Sequence, residues 1–467
     1  MSVPGTPDRP LRVAIIGAGP SGFYAADALL KTPGLAVSVD IFDRLPTPYG
    51  LVRGGVAPDH QKIKAVTAVY EKTALDARVR FFGNAMLGRD FTVDELRARY
   101  DQIVYAFGCE SDRRLGVPGE DLGGSFSATE FVGWYNGHPD YRDRSFDLSC
   151  EAAVVVGVGN VAVDVARILA QDPEILAKTD IAAHAVDALR ASRVRRVYML
   201  GRRGPAQAAF SPKELEELAA LPEADVVVSP EEARVDAASQ AALSDIETKK
   251  NCELLSRLAE RGAGAKRRRI VLRLCVSPVE LLGEGGRVRA VKLERNALEP
   301  DGRGGVKARG TGAFETIEAG LVFRSVGYRG VPVPGVPFDE KSGHVPHADG
   351  RVVGPSGTLS GEYVVGWAKR GPSGLIGTNR ADSVATVQAM LADLKEGRLR
   401  SGVGDPSAES TPKLLASKGA RTVSFSDWKK IDALELERGR GAGKIREKFA
   451  SVREMLGALE PAPTGRA

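Results

Sequence analysis

The chain has 467 residues, 43% of them apolar and 27% charged, with 65 Lys and Arg against 60 Asp and Glu for a formal charge of +5. This is the makeup of an ordinary globular protein of two or three domains; a surplus so small excludes a dedicated nucleic-acid binder and leaves room for a local basic face that attracts an acidic partner. The four cysteines, Cys109, Cys150, Cys252 and Cys275, are too scattered for a C-x-x-C dithiol, a zinc set or a resident iron–sulfur cluster, so any cluster in the reaction must sit on another protein.

Residues 1–10 are too polar and Pro-rich for a secretory signal. No apolar run approaches the ~20 residues that span a bilayer, so no membrane span and a cytoplasmic location are expected. The first apolar run, Leu11 to Ile16, is β-branched and ends in glycines, which reads as a buried strand. A helix from Phe23 to Leu30 and a strand from Ala36 to Phe42 complete a βαβ unit. Between strand and helix, Gly17-Ala18-Gly19-Pro20-Ser21-Gly22 fits G-x-G-x-x-G. In such a turn Gly17 permits the tight bend, Gly19 lets a pyrophosphate approach the backbone, and Gly22 permits close helix packing. The phosphate meets the positive end of the helix. Asp43 ends the next strand, where an acid binds a ribose hydroxyl.

A second unit begins with the strand Ala152 to Val156, followed by Gly157-Val158-Gly159-Asn160-Val161-Ala162 and a helix to about Ala170. The strand from Arg196 to Leu200 then ends in Gly201-Arg202-Arg203-Gly204, with two arginines where an NAD site has its acid. Arginines there hold the 2′-phosphate of NADP, which an acid would repel. A helix begins near Ser211-Pro212, and on it Glu216 and Glu217 read plainly as a solvated face. Lys249, Lys250 and the run Lys266-Arg267-Arg268-Arg269 form a candidate basic face for docking an acidic protein partner. Further strands are expected at 270–276, 287–295 and 321–325, with 296–311 as a solvent loop, 401–410 as a linker and 428–459 as a charged surface helix or tail. Two nucleotide sites imply a relay in which a flavin accepts two electrons from a nicotinamide and releases them singly. The first site should hold FAD.

Four segments together resemble one family: Leu45 to His60, Gly159 to Arg167, Gly201 to Pro205 and Gly366 to Thr378. The chain resembles the adrenodoxin-reductase-type ferredoxin–NADP reductases, in particular their bacterial members, over nearly its whole length. The resemblance implies an α/β fold of two Rossmann-like, glutathione-reductase-type domains. An NADP domain, 110–326, would be inserted into a discontinuous FAD domain, 1–109 and 327–467, with a helical tail from about 411. It implies FAD contacts from Ser21, Asp43, Leu51 and Leu87, Trp367 beside the isoalloxazine, and backbone of Gly374, Leu375 and Ile376 at its polar edge. Asn160, Val161 and Ala162 would hold the NADP pyrophosphate, Arg202 and Arg203 the 2′-phosphate, with Glu214 nearby and Arg113 approaching the cofactor. His60 and Glu217 match a pair near the flavin that hydrogen-bonds and relays a proton. Asp43 stands where many members have Glu, and Gly22 where relatives can have Ala, a difference expected to touch helix packing alone. The implied activity is transfer of a hydride from NADPH to FAD and of single electrons to a ferredoxin-type iron–sulfur protein. The alternatives are a flavoprotein subunit working within a larger complex, like the small subunit of glutamate synthase, and a regulatory protein that holds FAD without turnover.

Overall fold

The computed structural model describes residues 3–302, 304–374, 376–400, 404–405 and 407–460. Strand Leu11–Ile16 is buried along its whole length, as a continuous apolar run in a parallel sheet should be. It pairs in parallel with Val37–Phe42 on one side, in the register Leu11↔Val37, and with Gln102–Tyr105 on the other. Val79–Phe82 extends the first edge, and Gly357–Val364, Arg351–Gly354 and His347–Ala348 extend the second, making seven strands. Strand Ala152–Val156 is likewise fully buried. It lies between Leu321–Arg324 and Arg196–Gly201 in a second sheet of six strands, all parallel, with Ser125–Ser127, Arg268–Leu274 and Ala224–Val228 completing it.

Each sheet thus has a strand whose neighbours run on to opposite sides. In open α/β sheets ligands bind beyond the carboxyl ends of strands at such a reversal. Both glycine turns sit there. A two-stranded antiparallel pairing, Ser111–Asp112 with Tyr328–Arg329, links the two passages between the sheets.

Three expectations need correction. The strand expected at 270–276 is broken: Cys275 takes φ of 55° and the chain leaves the second sheet, so that Val276–Glu284 pairs instead with Arg287–Pro300. The expected loop 296–311 is mostly strand, because Arg287–Pro300 and Val306–Glu318 form a long antiparallel hairpin whose outer part is exposed. Its polar and Gly-rich composition goes with the largely exposed strand Val306–Glu318. The C-terminal segment is not a surface tail. Helix Phe425–Gly441 buries Trp428 and Ile431 in the first core, where the Trp428 ring meets Tyr49 edge-on at 6.0 Å. Its charged character is turned inward as well: Glu435 is fully buried and accepts from Arg53 and Arg446. The expected linker 401–410 falls partly outside the described residues.

Candidate nucleotide-binding cleft

Helix Pro20–Leu30 begins at Gly19 and helix Asn160–Ala170 at Gly159, neither with a side-chain cap, so the first amides of both are left to a ligand. The glycines divide by role. A Cβ at Gly17 would come 2.5 Å from the Ala106 carbonyl oxygen, at Gly22 2.2 Å from that of Gly17, and at Gly157 2.3 Å from that of Ser325. These three are required by the turn itself, so alanine at position 22 would disturb the turn as well as the helix. A Cβ at Gly19 or Gly159 would meet nothing within 4 Å. The middle glycine of each turn therefore faces open space, which fits a pyrophosphate against the backbone at both places.

Asp43 accepts the N–H of Ala18 at 2.9 Å and of Leu45 at 2.9 Å, so it ties the first turn to the strand end beside it. Burial pushes its carboxyl up to about 6, against those two amides, which favour the charged form. Each oxygen of the short Asp side chain takes one bond from the turn, and the remaining acceptor capacity of the two oxygens is what a ribose would use. Ser21 is buried. Leu51 starts a short helix and is partly exposed, whereas Leu87 packs with Phe42, Phe82 and Phe91. Trp367 begins helix Trp367–Arg370 and lies 5.3 Å from the Tyr328 ring, with its buried indole N–H lacking an acceptor among the described residues. Gly374 has φ of 78°, Ile376 begins helix Ile376–Lys395, and Leu375 lies outside the described residues.

In the second turn the Asn160 carboxamide oxygen accepts the Ser211 amide at 2.9 Å, Val161 is partly buried and Ala162 is fully buried. Arg202 is exposed and Arg203 half-buried. Neither makes an ion pair among the described residues. Burial and the neighbouring Arg202 both push the Arg203 guanidinium down. Asp301 acts the other way but more weakly. Two adjacent cations without an ion-paired carboxylate among the described residues suit a dianion. Arg113 is exposed, and its backbone N–H donates to the Gly327 carbonyl at the crossing between sheets.

The structure brings His60 and Glu217 together across the cleft, with Nε2 and Oε2 3.0 Å apart. Glu217 also meets Lys213. Glu214 lies beside His60 at 3.8 Å, where it accepts from Arg167. Arg167 is the residue that sequence reading missed. Buried on the inner face of helix Asn160–Ala170, it donates twice to Asp59, and to Asp164 at 2.6 Å. Asp59 precedes His60, so this bidentate pair fixes the histidine's loop to the second sheet's helix. Burial pushes Asp164 up to about 6, opposed by Arg167 and His60. His60, Asp164 and Glu214 offer atoms within 4.8 Å of one another, a spacing that would suit a metal, but the Arg167 guanidinium already supplies the cation there. The spacing of Asp164 and Arg167, three apart on one amphipathic helix, was the available signal.

The supposed basic face is divided. Lys266 turns its ammonium onto the carbonyls of Leu221 and Ala224, and Arg268 is buried against those of Ala170 and Gln171. Lys250 pairs with Glu216. Lys249, Arg267 and Arg269 remain exposed. The cause is local: Lys266 and Arg268 sit where the chain enters an inner strand of the sheet, so alternate residues point inward.

Residues 11–197 match the pyridine nucleotide-disulphide oxidoreductase family. NADPH-ferredoxin reductase FprA of Mycobacterium tuberculosis is 48% identical over 96% of this chain and 99% of its own length. The mitochondrial NADPH:adrenodoxin oxidoreductase of Salvelinus fontinalis is 44% identical over 97% and 91%. A solved structure of M. tuberculosis FprA in complex with NADPH covers 97% of this chain and all of its own at 47% identity, with a TM-score of 0.91.

Proposed function

Because the chain belongs to the adrenodoxin-reductase-type ferredoxin–NADP reductases, we infer that it is a flavoenzyme that takes electrons from NADPH and hands them to a ferredoxin-type iron–sulfur protein. The observation that carries this reading is the pair of glycine turns, each with its middle glycine facing open space, in one chain. Its cofactors are FAD and NADP(H), and when bound they supply a hydride from the nicotinamide and one-electron delivery from the flavin.

The chain's own residues bind and orient. The turn Gly17–Gly22 with Asp43 would hold FAD, and Trp367, Gly374 and Ile376 would border it. The turn Gly157–Ala162 would hold the NADP pyrophosphate, with Arg202 and Arg203 on the 2′-phosphate. On this assignment the first sheet, residues 1–109 with 327–467, is the FAD domain and 110–326 the NADP domain. The His60–Glu217 pair, 3.0 Å apart, would hold the proton that a bound reduced flavin gives up along with its electrons. Arg167 keeps His60 in place through Asp59. Among the described residues no helix is long and apolar enough to cross a membrane. The four free cysteines suit a reducing compartment, and we place the protein in the cytoplasm.

The test is direct. Purified protein is expected to carry FAD, to bleach on addition of NADPH far faster than with NADH, and to reduce a ferredoxin. A colourless protein that takes up no flavin overturns the reading. His60→Gln is expected to slow ferredoxin reduction by about tenfold or more, while bleaching by NADPH changes less. For docking, the outward cations Lys249, Arg267 and Arg269 are the proposed contacts. Charge reversal at all three should raise the KM for ferredoxin, and the effect should fade as salt is added. A KM that stays put would move the docking face elsewhere.

A further inference from the structure

The loop from Gly366 to Gly374 and the helix after it carry charged groups to which the reading above gives no role. The Gly366 N–H donates to Asp382 Oδ2 at 2.6 Å. Asp382 also meets Lys369 at 3.0 Å and the Arg370 Nη1 at 3.4 Å. Arg370 Nη2 donates to the Ser373 carbonyl at 3.1 Å and to Asn379 Oδ1 at 2.8 Å. Asp382 thus fastens the start of the loop and Arg370 its end. The assembly sits on the first glycine turn: the Ser383 hydroxyl donates to the Ser21 carbonyl at 3.0 Å, and a Cβ on Gly366 would come 2.1 Å from Ser21 Oγ.

The arginine is not used up by these bonds. Its Nε and Nη1 are buried without a hydrogen-bond acceptor among the described residues, and so is Trp367 Nε1 on the same loop. Buried donors left unmet cost free energy, so three on one loop suit a partner rich in acceptors. The pyrimidine edge of a flavin is such a partner. The charges also leave a remainder: Lys369 and Arg370 against Asp382 give one net positive charge beside the turn.

We propose that Arg370, oriented by Asp382 and Asn379, is a positioning residue of the flavin site whose positive charge raises the reduction potential of the bound cofactor. The proposal rests on the reading that the first turn holds FAD. Two-electron reduction with uptake of one proton adds one negative charge to a flavin. A fixed cation therefore favours the reduced form and a fixed carboxylate opposes it. Asp382 is then both the holder of Arg370 and a partial brake on its effect.

Those two roles predict opposite signs. The midpoint potential of the holoprotein is measured by equilibrium titration against a reference dye, with flavin content measured alongside. Arg370→Gln should lower the ratio of reduced to oxidised flavin at fixed potential about tenfold, about 30 mV more negative for a two-electron couple. Asp382→Asn, which keeps an acceptor for the Gly366 N–H, should shift it the other way. Arg370→Lys should stay near the wild type. No shift in the first two variants, or shifts of the same sign, would overturn the proposal, since a role confined to loop packing would move both alike. If Arg370→Gln takes up no flavin, the sign for Asp382→Asn decides: positive supports, zero or negative overturns. A wild-type protein without flavin would instead sink the assignment of the turn.

Discussion

Replacing Arg202 and Arg203 together with alanine is expected to raise the KM for NADPH by at least about 100-fold and to leave that for NADH within a few-fold. The size follows from charge-assisted bonds to phosphate, about 1.5–3 kcal/mol each, against about 1.4 kcal/mol per factor of ten. The selectivity follows from the setting. Some other cations with buried surface have a carboxylate partner, as Arg167 has Asp59 and Arg273 has Glu232. Arg202 and Arg203 make no ion pair among the described residues; they push against each other, and Asp301 offsets this for Arg203 only in part. Side by side at the end of strand Arg196–Gly201, they form an excess of positive charge that a dianion neutralises and NADH, lacking the 2′-phosphate, leaves as it is. Comparing kcat/KM for the two nucleotides checks this. Equal losses with both would show that the arginines support the fold of the turn and not the choice of nucleotide.

That pair was legible in the sequence because its meaning depends on position along the strand, and the strand was a clean apolar run. The same holds for both glycine turns. Spacing fixes what the backbone must do there, and Gly17, Gly22 and Gly157 have no room for a Cβ. The outer part of the hairpin Arg287–Pro300 and Val306–Glu318 was not legible, because its residues are mostly exposed or half-buried without a regular two-residue alternation to read. The inward turn of Lys266 and Arg268 was hidden for a related reason: a run of four cations gives no sign of which members a sheet will draw in. The partners that Arg167, Asp180 and Lys448 find across long stretches of chain were invisible, the near pair Asp164–Arg167 being the one local signal among them. Asp59 meets Arg167 across 108 residues, and Lys448 meets Asn136 across 312. No local period encodes a contact of that separation.

Asp180→Ala is expected to cost about 3–5 kcal/mol, the range for removing one partner of a buried ion pair. The carboxylate sits where three parts of the chain meet. Lys64, from the first sheet's side, donates to both its oxygens at 2.8 and 2.7 Å, and Lys448, from the C-terminal segment, lies 3.0 Å away. Asn136 is shared by both ammonium groups, and Lys448 donates also to the Arg53 carbonyl. Burial alone would push Asp180 up, yet the two lysines overcome it and hold the carboxyl well below its usual range. Burial, with repulsion from Lys64 and Arg53, brings Lys448 down to about 7 despite Asp180. Between about pH 7 and the unfolded lysine value of 10.5 the unfolded chain therefore binds the Lys448 proton and the folded chain does not. This group's contribution to stability rises with pH through that window, by about 1.4 kcal/mol per unit at most. Without Asp180 both ammonium groups lose their anion, so the deficit of the variant is greatest where both are charged. It should be larger at about pH 6 than at about pH 9. With an unfolding entropy of roughly 1 kcal/mol/K for a chain of this length, the lower-pH loss corresponds to a Tm lower by roughly 3–5 °C. Lys448→Met supplies the contrast. It removes the more deeply buried of the two cations and leaves Asp180 paired one-to-one with Lys64, so it should be neutral or stabilising at pH 6 and lose that advantage as pH rises. Equal Tm losses for Asp180→Ala at both pH values would show that the site is held by shape and not by charge.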